Sequence, residues 1–328
     1  MVESEGHLEA RPQDALLCDM DLPFCATFYP LGYSVEIATN EPVVLIAAEE
    51  SFGHVRSARQ DTTLTIRVGV SRGASAACPP EPTRREHGHL FSMVADADNQ
   101  SLLDLKTGIN FTWVTQAAVQ DRPYFRRNFL EKTTYLLLGA SVVTDIHAAC
   151  VSKNGKGILL CGDSGAGKST LAYACARTGW TYTSDDTSYL INDSNVPRVI
   201  GHCHRVRFRP SAKDLFPELE CRPVTPRMDG KPSIEVPIEE LAVLHSAPEA
   251  AVHSIVYLRR DPTAPGKLLR LPIGTATQRA CRELYSAGEI REKHSCMLRK
   301  LWDVPTYQLE YCELSSGLRA LDLLARET

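Results

Sequence analysis

One segment constrains this chain more than any other: Gly162-Asp163-Ser164-Gly165-Ala166-Gly167-Lys168-Ser169-Thr170. It fits the pattern G-x-x-x-x-G-K-[ST], whose glycines let a backbone wrap closely around an anion. Its flanks supply the context such a loop requires. Gly157-Ile-Leu-Leu-Cys161 reads as a short buried strand, and Ser169-Thr-Leu-Ala-Tyr-Ala-Cys-Ala-Arg-Thr178 as a helix closed by Gly179. Strand, glycine loop and helix, in that order, aim loop amides and a helix N-terminus at phosphates. Lys168 then neutralises the β/γ charge, and Ser169 offers an oxygen to Mg2+. Residues 162–170 are the expected phosphate cradle.

The neighbouring segments sharpen this expectation. Asp145–Lys153 and Lys156–Gly162 flank Asn154-Gly155, the strongest short signal for a type I′ hairpin. That turn pairs Lys153 with Lys156 and sets His147 opposite Gly162, at the mouth of the loop. Downstream, Trp180-Thr-Tyr-Thr183 reads as the next strand, followed by Ser184-Asp185-Asp186. A parallel strand returning after the loop's helix ends at the same carboxyl edge, where ligands bind. Two adjacent carboxylates there repel unless a cation or a transferred proton relieves them. One can hold Mg2+ while the other takes a proton from an acceptor hydroxyl.

The run from His147 to Leu190 resembles the catalytic domain of bacterial HPr kinase/phosphorylase. The His, the hairpin glycine, GDSGAGKST and SDD occur in that order and at closely similar spacing. A weaker likeness of layout extends to Val304-Pro-Thr-Tyr-Gln-Leu-Glu-Tyr311 and the closing helix. The resemblance implies an α/β fold of the HPr-kinase and phosphoenolpyruvate-carboxykinase type, distinct from ordinary P-loop NTPases. It implies that Asp185 is the base for the acceptor proton, that Ser169 and Asp186 support the metal, and that ATP and Mg2+ are the cofactors. His147, Lys168 and Asp185 form the candidate catalytic set. It also favours a homo-oligomer.

The segment by which that family binds HPr, and its later Arg-bearing loop, have no visible counterpart. Gly201-His-Cys-His-Arg-Val-Arg-Phe-Arg-Pro210 stands in the first of these regions. The chain looks more like divergent HPr-kinase-related proteins, among them kinases of small hydroxyl compounds and of ribosomal peptide precursors. The leading expectation is an ATP-dependent kinase acting on a protein or peptide serine or threonine, or on a small hydroxyl compound. The alternative is a nucleotide-binding regulatory or scaffold protein without phosphoryl transfer. A carboxykinase-like enzyme would need further metal and oxoacid ligands, and none stands at convincing spacing.

The remaining sequence sets the frame. A length of 328 residues, 43% of them hydrophobic, suits about two domains. A net charge of −4 gives no general reason to bind nucleic acid or an anionic membrane. The acidic start MVESEGHLEARPQD lacks the apolar core of a signal peptide, and no apolar run is long enough to span a bilayer. The 11 cysteines show no Cys-x-x-Cys pair and read as reduced core thiols, so a cytoplasmic protein is expected.

Residues 1–20 are expected as a loose leader, 21–120 as an α+β accessory domain rich in antiparallel strands, and 121–328 as the catalytic domain. Strands are expected at Pro42–Ile46, Thr63–Val70, His89–Val94, Ser101–Lys106 and Asn110–Val114, the last three as a meander, with Ser71–His87 a surface loop. A helix should open on Asp121 with Pro123 in its first turn, and Phe125, Phe129, Lys132 and Leu136 along one stripe. His202, Cys203 and His204 would alternate faces on a strand and cannot share one ion. Arg205, Arg207 and Arg209 would share one strand face, turned to solvent or to an anion. Thr277–Ala287 and Glu289–Leu301 read as amphipathic structural helices.

Overall fold

The computed structural model describes residues 20–55, 60–73, 76–226, 232–241, 244–284 and 288–327, so the expected leader lies outside it but for Met20. The chain divides into two compact units, one running to Leu137 and the other beginning at Leu138. The sequence suggested a boundary near residue 120, where a helix opens. That helix belongs to the first unit, because Arg126 donates to Ser51 Oγ at 2.9 Å and Tyr124 Oη donates to the Pro80 carbonyl at 2.7 Å.

The first unit comprises β1 (Phe24–Phe28), β2 (Tyr33–Thr39), α1 (Pro42–Phe52), β3 (Gln60–Ser71), β4 (Thr83–His87), β5 (Leu90–Val94), β6 (Gln100–Asp104) and β7 (Ile109–Thr115). Among the described residues its seven strands form one sheet in the order β1-β2-β3-β7-β6-β5-β4. β2, β3 and β7 are mutually parallel, while β5, β6 and β7 make the expected antiparallel meander. Two expectations fail here. Pro42–Ile46 is the start of a helix: its apolar period continues through Val44, Ala47, Ala48 and Phe52, which are the buried positions, and Pro42 suits a first turn. Thr83–His87 is an edge strand, with all five side chains exposed and the chain reversing at Gly88. Its charged side chains hide the strand pattern and protect the sheet edge.

α2 (Gln116–Gln120) leads into α3 (Arg122–Phe125), where Asp121 caps as expected, accepting from Tyr124 N at 3.1 Å. A π-helical turn over Arg126–Glu131 separates α3 from α4 (Lys132–Ser141). The wider turn rotates the buried face. Phe125 and Phe129 are buried as expected, but Leu130, Thr133 and Leu137 continue the face in place of Lys132 and Leu136.

The second unit continues with β8 (Val143–Ile146), β9 (Ala148–Lys153), β10 (Lys156–Cys161), α5 (Lys168–Arg177), β11 (Thr181–Ser184), β12 (Ser188–Ile191), β13 (Arg198–Gly201), β14 (Arg205–Phe208), β15 (Thr225–Pro226), β16 (Pro232–Pro237) and β17 (His245–Ser246). β18 (Glu249–Arg260), β19 (Pro265–Arg270), α6 (Thr275–Glu283), α7 (Gly288–Leu298), β20 (Thr306–Tyr311) and α8 (Leu314–Glu327) complete it. The large sheet runs β17-β11-β9-β10-β18-β13-β12-β8, with β20 joined to β18 and β19 to β20; β14, β16 and β15 form a smaller sheet. The fold is mixed α/β.

Asn154 and Gly155 both take positive φ, 53° and 78°, as a type I′ turn demands. The hairpin has the expected register, from Lys153 opposite Lys156 to Ala148 opposite Cys161. β11 is antiparallel to β9 and so runs with β10; β18 is parallel to β10 and β20 is parallel to β18. The carboxyl ends of β10, β11, β18 and β20 therefore meet at one edge.

From Gly157 onward β10 carries no polar side chain, because both its faces are covered. Ile158 and Leu160 enter one core with Leu171, Trp180, Phe208, Tyr311 and Leu321, whereas Leu159 and Cys161 enter another with Leu190, Ala276 and Leu298. Cys150, Cys161 and Cys175 are buried free thiols. No helix among the described residues is long and apolar enough to cross a membrane. α6 and α7 cover the second core; residues 285–287, expected at the end of the first of these helices, lie outside the described residues.

Candidate active site

The glycine loop occupies the carboxyl end of β10. Gly162, Gly165 and Gly167 adopt φ of 147°, 94° and 99°, conformations that side chains with a Cβ resist. Gly167 also caps α5, and a Cβ there would lie 2.5 Å from Tyr311 Oη. Tyr311, wholly buried at the end of β20, donates that hydroxyl to the Ala166 carbonyl at 3.0 Å. The loop is thus pinned by a strand distant in sequence. Asp163 accepts from Ala166 N at 3.0 Å through its carbonyl, and Thr170 sits half-buried in the first turn of α5.

Lys168 folds back over the loop. Its Nζ donates to the Gly162 carbonyl at 2.7 Å and lies 3.0 Å from His147 Nε2. Burial pushes the ammonium pKa down. His147 Nδ1 is 3.6 Å from Asp186 Oδ1. With an ammonium donating to Nε2, the imidazole proton belongs on Nδ1, facing Asp186. His147, Lys168 and Asp186 therefore come together, with the hairpin register bringing His147 to the mouth of the loop.

Asp185 is buried, and its Oδ2 accepts from Arg207 N at 2.7 Å. Burial pushes its carboxyl up to about 6; the Arg207 N–H opposes that rise, and the Asp186 charge adds to it. Ser169 Oγ donates to the Asp185 carbonyl at 3.1 Å, which joins the first turn of α5 to the carboxylate pair.

Two arginines reach the loop without having been singled out for it. Arg209 Nη2 donates to Ser164 Oγ at 2.8 Å, and its Nη1 is the atom nearest a Cβ built on Gly165, at 3.6 Å. Arg260, at the end of β18, lies over the Tyr311 ring, 5.7 Å from its centroid. The alternation of Arg205, Arg207 and Arg209 was visible in sequence, but the partners were not. Arg205 and Arg207 share Glu235 of β16, each at 2.8 Å. Nothing near Arg260 in the sequence signals the loop; sheet order alone brings it there. His202, Cys203 and His204 occupy the turn between β13 and β14, not a strand, and the two imidazoles stand 5.9 Å apart edge to face. Among the described residues no group of three or more His, Cys, Asp or Glu side chains could hold a metal ion.

No protein-family model and no curated protein matches the chain. Among solved structures, the HPr(Ser) kinase/phosphatase from Coxiella burnetii is similar with a TM-score of 0.30 and 13% identity, over 56% of this chain and 99% of that one. The reading of the site rests on its own geometry.

Proposed function

We propose that the chain is a kinase that transfers the γ-phosphoryl group of ATP to a hydroxyl acceptor, a peptide or protein serine or threonine or a small hydroxyl compound. One observation carries this reading: a glycine loop with a buried lysine and a buried carboxylate, Asp185, lie side by side at one sheet edge, joined through Ser169. The loop amides and Lys168 bind the β- and γ-phosphates. As the acceptor oxygen bonds to phosphorus, its proton passes to Asp185; the bond from phosphorus to the bridging oxygen breaks, and its electron pair leaves with ADP. Lys168 steadies the charge that grows on that leaving oxygen.

The donor set suits Mg2+, which keeps several waters and takes only one or two protein ligands beside phosphate oxygens. Ser169 Oγ and the half-exposed Asp186 carboxylate would hold it, and Ser169 already touches the Asp185 carbonyl next to Asp186. When bound, the ion neutralises charge across the β- and γ-phosphates.

Asp185→Asn keeps the size and the acceptor for Arg207 N but cannot take a proton. Transfer from labelled ATP to a panel of peptides and small hydroxyl compounds should fall by ~10²–10⁴-fold, the usual worth of a general base. Nucleotide binding should persist. Transfer at the wild-type rate in the Asn variant would remove Asp185 from the base role.

A further inference from the structure

We infer that Arg209 reads the terminal phosphate of the bound nucleotide, so that the site tells a nucleoside triphosphate from a diphosphate. The inference rests on the nucleotide site proposed above and goes further, to a residue that neither motif contains.

Position comes first. β14 runs along the site: the main chain of Arg207 holds Asp185, and two residues on, the side chain of Arg209 meets Ser164. The ammonium of Lys168 rests against the carbonyls of Gly162 and Asp163, at 2.7 and 3.4 Å. The β/γ end of a bound nucleotide therefore lies beside the first turn of the loop, and Ser164 is the next residue along it. The inner phosphates lie toward Gly167, where α5 begins. Arg209 stands over the outer rim.

Charge comes second. Of the three alternating arginines, Arg205 and Arg207 both pair with Glu235 and share its single charge. Arg209 has no carboxylate partner among the described residues, and its guanidinium rests on the Ser164 hydroxyl. A hydroxyl is a weak partner for a planar fork of donors that matches phosphate oxygens in pairs. A γ-phosphate arriving beside Ser164 offers the stronger acceptors, and a diphosphate leaves that place empty. Supplied from within the chain, such a guanidinium also stabilises charge on the group in flight.

Arg209 is exposed, so its replacement leaves the core intact. Calorimetry on the full chain with Mg2+ should compare the β,γ-imido analogue of ATP with ADP. Arg209→Gln should weaken the triphosphate by about 10- to 100-fold, the worth of a hydrogen bond to a charged group, while ADP affinity stays within about 2-fold. Arg209→Lys should recover part of the loss. Equal losses for both nucleotides, or none for either, would overturn the assignment while leaving the nucleotide site standing. A wild-type chain that binds neither nucleotide would overturn both.

Discussion

Asp185 holds its charge at a cost to the fold, and that cost depends on pH in a definite direction. Its ordinary pKa of 3.8 rises to about 6 in the folded chain, mainly through burial. Between those values the folded state binds more protons than the unfolded one, so stability falls as pH rises. The favourable contribution is complete below about pH 4 and is lost as pH climbs through the folded value. Asn at 185 has nothing to lose. In chelated, nucleotide-free buffer, the stability of Asp185→Asn relative to wild type should therefore improve by about 2 kcal/mol between pH 4 and pH 8. Urea unfolding across that range reads it directly, and a constant difference would show that the carboxylate is solvated. Lys168→Ala makes the complementary test. It removes the side-chain cation that spans the Gly162 carbonyl and His147, so titration with a fluorescent ATP analogue should show marked weakening in a folded variant. Unchanged affinity would sink the loop as a nucleotide cradle. Ser169→Ala should in turn lose much of the gain that Mg2+ brings to ATP binding, as measured in the same titration.

Among the elements, the contact of β20 with the glycine loop is the most exacting. Tyr311→Phe deletes the hydrogen bond to Ala166 and should cost about 1 kcal/mol in unfolding free energy. Gly167→Ala should cost more, because the new Cβ meets Tyr311 Oη at 2.5 Å in a backbone of φ 99°. Adding Tyr311→Phe to Gly167→Ala should recover part of that loss, so the two substitutions should couple rather than add. Strict additivity in denaturant unfolding would show that the loop yields. This contact also marks how far sequence reading reaches. The β9–β10 register was legible because Asn154-Gly155 permits few turns, and that register placed His147. The loop and the acidic pair were legible because local pattern encodes them. α1 was missed because five apolar residues were read without the helical period that follows them. β4 was missed because an exposed edge strand has no apolar face to alternate. Arg260 and Tyr311 had no readable role, and Arg209 only that of a strand-face cation turned to solvent or to an anion, since each meets the loop only through strands that are remote along the chain.

At the scale of the whole molecule, the site belongs to the second unit, which gathers it from His147, the glycine loop, the Asp185-Asp186 pair, β14, and the ends of β18 and β20. Ligand binding should therefore register in the core of that unit. Trp180 is a suitable reporter: it is wholly buried, donates to Asp322 Oδ1 at 3.1 Å, and lies under the Lys153 ammonium. With Trp113 and Trp302 replaced by Phe, ATP·Mg2+ at 100 times its dissociation constant should stabilise the fold around Trp180 by about 2.7 kcal/mol. Fluorescence-monitored unfolding measures this, and Lys168→Ala should abolish the shift. A shift that survived in that variant would place the nucleotide elsewhere.

The hydrogen bond that holds Asp185 comes from the main chain at position 207, and this bears on how such a chain can change by inheritance. Nineteen of the twenty residues carry the same N–H, so codon changes at 207 leave the donor in place while they alter the tie to Glu235 and the guanidinium's pull on the Asp185 charge. Proline alone deletes it. Drift in descendants of this chain should accordingly leave one residue missing from the spectrum at 207, whatever else the loss of the guanidinium costs.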